Sequence, residues 1–68
     1  MNKYFGERLK DLRLEAGLSQ FQLAKELDVG KSIISSWELC QNEPKLSNLV
    51  TVAKYFKVTT DYLCGLED

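Results

Sequence analysis

Histidine is absent from this 68-residue chain, and proline and tryptophan occur once each. Without histidine, most nucleophile–base pairs and most zinc sites lack a key member. Cysteine is nearly as scarce: Cys40 and Cys64 stand alone, without CxxC spacing. Such residues read as reduced, semi-buried fillers rather than as a disulfide or metal ligands. The carboxylates are scattered and no glycine-rich phosphate loop is present. A chain this small also has little room for a pocket. These absences point away from an enzyme and imply no cofactor and no metal. One proline and four glycines leave few positions for disorder. No apolar run approaches membrane-spanning length, and the charged N-terminus "MNKYFGERLKDLR" is unlike a signal peptide. A cytoplasmic protein with no membrane partner is expected.

What is present is a series of short amphipathic segments. Hydrophobic residues make up 44% of the chain, enough for one domain over residues 1–68, near the lower size limit for a single core. Phe5, Leu9, Leu12 and Ala16 recur at i, i+4, i+7 and i+11, which predicts a first helix stopping at Gly17. Leu14 falls opposite that stripe and should be exposed. Ser19 with Gln22 makes a capping box, and Leu18 with Leu23 a hydrophobic staple, opening a second helix that buries Leu23, Ala24 and Leu27. Its end at Asp28 suits a residue that tolerates the left-handed conformation of a tight turn. A third helix runs from about Lys31 to Leu39, with Gly30 as N-cap. After the loop "CQNEPK", a fourth helix from about Leu46 to Phe56 buries Leu49, Val52, Ala53 and Phe56. Thr59 caps a short fifth helix that carries Tyr62 and Leu63 and stops at Gly65. Nothing reads as a strand. The expected fold is all-α, a compact bundle of five short helices.

The second and third helices are joined only by "LDVG" within "SQFQLAKELDVGKSIISSWEL". A turn of about three to four residues, with a small side chain at the crossing, can brace one helix across another so that the outer one enters a DNA major groove. Here Ala24 supplies the small residue and Val29 plugs the turn, while Ile34 and Trp37 anchor the third helix inward. Trp37 therefore reads as core rather than as a stacking platform. Lys31, Ser32, Ser35 and Ser36 face outward, short polar groups plus one cation of the kinds that reach base edges and phosphates. The plain alternative for the serines is an ordinary solvated helix face. Phe21 and Ile33 are apolar where the pattern points outward. Each is either a scattered surface hydrophobe or, for Ile33, a partner for a thymine methyl.

Charge is less helpful. The net charge is −1 at pH 7, whereas nucleic-acid binders are usually basic. Its distribution matters more. Lys3, Arg8, Lys10 and Arg13 lie toward the N-terminal end, Asp61, Glu67 and Asp68 crowd the C-terminal end, and Val29 to Trp37 contains one cation and no acid. A locally neutral-to-positive face is compatible with DNA if the acids lie elsewhere.

This order of segments resembles the helix-turn-helix domains of the phage repressor and Cro family over nearly the whole chain. "LKDLRLEAGLSQFQLAKELDV" is similar to the family's first two helices, "IISSWE" to the end of its recognition helix, and "EPKLSNLVTVAKYFKVTTDYL" to its last two helices. The resemblance places the helix-turn-helix at about residues 20–39 and implies double-stranded DNA as partner. By position, Gln20 matches a phosphate-holding residue, and Lys31, Ser32 and Ser36 match base-reading positions, with Ser35 beside them. Asn42 falls in a loop that approaches backbone phosphate, and Arg13 with Glu38 matches an ion pair that ties the first helix to the third.

A sequence-specific transcription regulator follows, a repressor of bacterial or phage origin that sits on the nucleoid when bound. One recognition helix reads too little sequence to mark a genomic site, so a homodimer on a near-palindromic operator is expected, with Tyr62, Leu63 and Leu66 as the contact. Four departures from the family pattern stand out. Asp28 and Cys40 occupy turn positions usually held by glycine, Gly30 replaces a Ser or Thr cap, and Glu43 puts an acid in the phosphate-facing loop. The last predicts modest non-specific affinity. The competing reading is a protein-interaction module, such as an antitoxin or regulatory subunit, built on the same scaffold.

Overall fold

Each amphipathic stretch folds as a helix: α1 (Tyr4–Glu15), α2 (Gln20–Leu27), α3 (Lys31–Glu38), α4 (Leu46–Phe56) and α5 (Thr60–Cys64). The computed structural model describes residues 3–67, with no strand among them, and Met1, Asn2 and the C-terminal acid Asp68 lie outside that span. No helix of the described residues is long and apolar enough to cross a membrane. Helices this short are marginal by themselves in water, so packing holds them. Leu9, Leu23, Ile34, Leu63 and Val52 are fully buried in one cluster with Phe5, Ala24, Leu27, Trp37 and Ala53, drawing on all five helices. Each large side chain in it contributes about 1.5–3 kcal/mol by leaving water.

Helix starts follow local chemistry. The Gln22 backbone N–H donates to Ser19 Oγ at 3.0 Å, and the Ser19 N–H donates to Gln22 Oε1 at 2.8 Å, completing a capping box. Thr59 Oγ1 accepts from the Tyr62 N–H at 2.9 Å. Gly30 begins α3 with no side-chain cap.

The helix ends share one device. In each, a left-handed residue donates its N–H three residues back, and the next residue donates five residues back. Gly17 and Gly65 do this for α1 and α5, but Asp28, Cys40 and Lys57 adopt φ of 57°, 60° and 59° at the ends of α2, α3 and α4. A side chain in this region costs roughly 1 kcal/mol. Val29 and Val58, which follow Asp28 and Lys57, pack against the core and hold those turns in place. Asp28→Gly is therefore expected to raise the melting temperature by about 2–4 °C, because relief of strain slightly exceeds the added flexibility of the unfolded chain. A thermal melt that is unchanged or lower would show that Asp28 carries no net strain.

Three expectations need correcting. The α1 stripe runs through Phe5, Leu9 and the half-buried Leu12, which packs on the core, but not through Ala16, which is exposed; Arg13 is also turned inward. Leu63 is 0% exposed and belongs to the core, so it cannot form a dimer contact. Tyr62 is half-buried beneath Arg8, whose guanidinium lies 4.4 Å from the ring centroid. Arg8 Nη1 also donates to the carbonyls of Tyr62 at 2.6 Å and Glu67 at 2.5 Å, fastening the C-terminal segment to α1. Of the three residues, Leu66 alone is broadly open to solvent, at 76%.

Candidate nucleic-acid interface

The outward face of α3 is set by what its inner face must bury. Ile34 and Trp37 are buried, and the Glu38 side chain is 4% exposed. At about 100° per residue, fixing these three inward turns Ser32 and Ser36 outward, with Lys31 and Ser35 on one flank and Ile33 on the other. Lys31, Ser32 and Ile33 are exposed, while Ser35 and Ser36 are half-buried. Four of the sequence-selected residues thus share one continuous face. The small, buried Ala24 on α2 helps bring the helices together, and the Val29 N–H donates to the Ala24 carbonyl at 3.0 Å across the turn.

Glu38 locks this orientation. Its carboxylate accepts Arg13 Nε at 2.6 Å and Arg13 Nη2 at 3.0 Å, a two-pronged pair between α3 and α1. Arg13 Nη1 donates to the Leu18 carbonyl at 2.9 Å, so the guanidinium also holds the chain entering α2. Hydrogen bonding to Glu38 raises the Arg13 pKa above its ordinary value, against the opposite pull of burial. A raised cation stabilises the fold fully below its unfolded-state pKa and loses that contribution only as pH rises through the folded value. The Arg13 contribution therefore persists from neutral through mildly alkaline conditions.

Gln20 belongs to the same network, which its sequence position did not reveal. Gln20 Nε2 donates to Glu38 Oε1 at 3.1 Å. One N–H and the amide oxygen remain for other bonds. Asn42 is exposed in the loop after α3, with exposed Glu43 beside it. Asn42 and Glu43 both line two openings. One, of about 190 Å³, runs in toward Phe5, Trp37 and Leu49; the other, of about 350 Å³, lies between α3 and the start of α4. Gly6 has no marker in the sequence. A Cβ there would stand 2.1 Å from the Trp37 carbonyl oxygen, so only glycine admits this close approach of α1 to α3.

The helix-turn-helix family model matches residues 9–63. The chain is 39% identical over 64 residues to the HTH-type transcriptional activator BcrR of Enterococcus faecalis, covering 94% of this chain and 31% of that protein. It is 33% identical over 63 residues to the HTH-type transcriptional regulator ImmR of Bacillus subtilis (strain 168), covering 93% and 50% respectively. The chain thus spans about a third to a half of the length of these relatives. Among solved structures, it is similar to the P22 c2 repressor protein in complex with a synthetic operator. The TM-score is 0.86 at 32% identity, over 93% of this chain and 96% of that one. The matched segment takes in the capped α2, the Asp28 turn, the anchored α3 and most of the surrounding bundle, and the chain belongs to the helix-turn-helix family of the phage repressor and Cro type.

Proposed function

We propose that this chain binds double-stranded DNA sequence-specifically as a transcription regulator, acting as a repressor with α3 in the major groove. The observation that carries the reading is the outward face of α3, held by the Arg13–Glu38 pair and bearing Lys31, Ser32, Ser35 and Ser36. Ser32 and Ser36 lie nearest its centre and are assigned to base edges. Ser35 and Lys31 flank them, and Lys31 meets either a phosphate or a guanine. Gln20, through its free amide groups, and Asn42 are assigned to backbone phosphate. Two copies related by a two-fold axis would set their α3 helices about 34 Å apart, matching a near-palindromic operator. With Leu63 buried, that contact rests on exposed Leu66 and half-buried Tyr62.

Substitutions separate these roles in titrations of specific and random duplexes. Lys31→Ala weakens binding to every duplex and flattens the salt slope by about one unit if the lysine meets a phosphate. If it reads guanine, the loss of about 1–3 kcal/mol falls on one base pair. Ser36→Ala relaxes preference at one position and leaves non-specific affinity nearly intact. Gln20→Ala lowers affinity evenly across sequences. A second reading, a module that binds another protein, draws support from Phe21, which is 59% exposed on α2, and from the acid Glu43 in the loop after α3. If all three variants bind specific and random DNA as the parent does, the serine face is not a reading surface and this second reading takes over.

A further inference from the structure

Ile33 is 41% exposed on the first turn of α3, yet its neighbours on the outward face are polar. It lies on the flank of α3 opposite Lys31, between outward Ser36 and inward Trp37. With Val29 and Trp37 it supplies the apolar lining of the open cleft of about 350 Å³ between α3 and α4, whose polar lining is Asn42, Glu43, Lys45 and Asn48. An occupant of this cleft needs an apolar group toward Ile33 and an anionic or hydrogen-bonding group toward Lys45 and the asparagines. In a DNA major groove one base offers a methyl on its exposed edge, and that base is thymine. A thymine nucleotide presents this methyl beside its own strand's phosphate, so both linings are matched by one unit. Guanine or adenine would set the polar N7 edge against the isoleucine, and cytosine a bare C5–H without the methyl. Glu43 in the polar lining opposes a purely electrostatic contact, which gives the apolar lining a larger share in selecting the occupant.

Resting on the DNA-binding reading above, we propose that Ile33 is a specificity-determining residue that covers a thymine 5-methyl, with Lys45, Asn42 and Asn48 directed toward that strand's phosphate. The test uses the full chain and duplexes selected from a random pool, remade with each thymine in turn replaced by deoxyuridine, which removes only the methyl. Wild-type protein should lose about fourfold in affinity at one position per half-site, the effect of uncovering one buried methyl group. Ile33→Ala should bind the unmodified duplex about as weakly as wild type binds the uracil duplex and should be indifferent to the swap. Specific binding with no uracil-sensitive position, or an equal loss in wild type and Ile33→Ala, overturns the methyl contact and leaves the DNA reading standing. A pool that yields no preferred sequence removes the DNA reading itself, and this contact with it.

Discussion

Arg13→Ala should lower the stability of this chain by about 3 kcal/mol, a large part of what so small a domain possesses. The Arg13 and Glu38 side chains are 10% and 4% exposed, so the pair lies where water cannot substitute for a missing partner. A surface pair would be worth less than about 1 kcal/mol. Here removal of the guanidinium strands a buried carboxylate and also leaves the Leu18 carbonyl without its donor at 2.9 Å. The melting temperature should fall by more than about 10 °C, followed by circular dichroism. Replacing both partners with apolar residues of similar size should cost much less than the single change, because no charge is then left alone. A single variant that melts within about 2 °C of the parent would contradict this picture of Glu38 as a buried lock.

Gly6→Ala should be comparably harmful, for a steric reason. Alanine is better than glycine in a helix interior by roughly 1 kcal/mol. Its methyl, however, would sit 2.1 Å from the Trp37 carbonyl oxygen and 3.0 Å from Cys40 Sγ. A backbone oxygen cannot rotate away as a side chain can, so α1 must lift from α3. That shift would open the edge-to-face contact of Phe5 with Trp37, whose ring centroids are 5.5 Å apart. Overpacking of this kind costs about 3 kcal/mol and outweighs the propensity gain, leaving a net loss near 2 kcal/mol. Thermal melts should show a fall of about 8–16 °C. A rise would mean that α1 and α3 sit further apart than this arrangement requires.

These two residues also mark where the sequence was hard to read. Capping chemistry is local, so Ser19, Gln22 and Thr59 announced the starts of α2 and α5 plainly. The period of α4 was equally legible: Leu49, Val52, Ala53 and Phe56 repeat at helical spacing and all pack on the core, although Leu46, Val50 and Tyr55 are apolar on the exposed side. In α1 the pattern failed at Arg13. A buried cation looks polar in a hydrophobic period, and only the distant Glu38 makes its burial tolerable. The inner residue of α5 was obscure for another reason: over the five residues Thr60–Cys64, periodicity does not distinguish Tyr62 from Leu63. Gly6 carries no local signal at all, since its role depends on a backbone oxygen more than thirty positions away. The left-handed Lys57 has no sequence marker, because the Val58 packing that sustains it is a tertiary contact. For the candidate site, residue types and order were visible in "GKSIISSWE". The tie between Gln20 and Glu38 was not, because it joins two helices through side chains whose sequence spacing of 18 has no periodic meaning.

Selection of bound sequences from a random duplex pool tests the central claim most directly, since it asks whether the α3 face reads bases at all. The expected outcome is an enriched site with dyad symmetry and half-site centres about 10 base pairs apart. Its affinity should fall steeply with salt, and its preference should relax at one position in Ser36→Ala. A pool that remains random after repeated selection, or affinity for the recovered sites no greater than for unselected duplex, would contradict it.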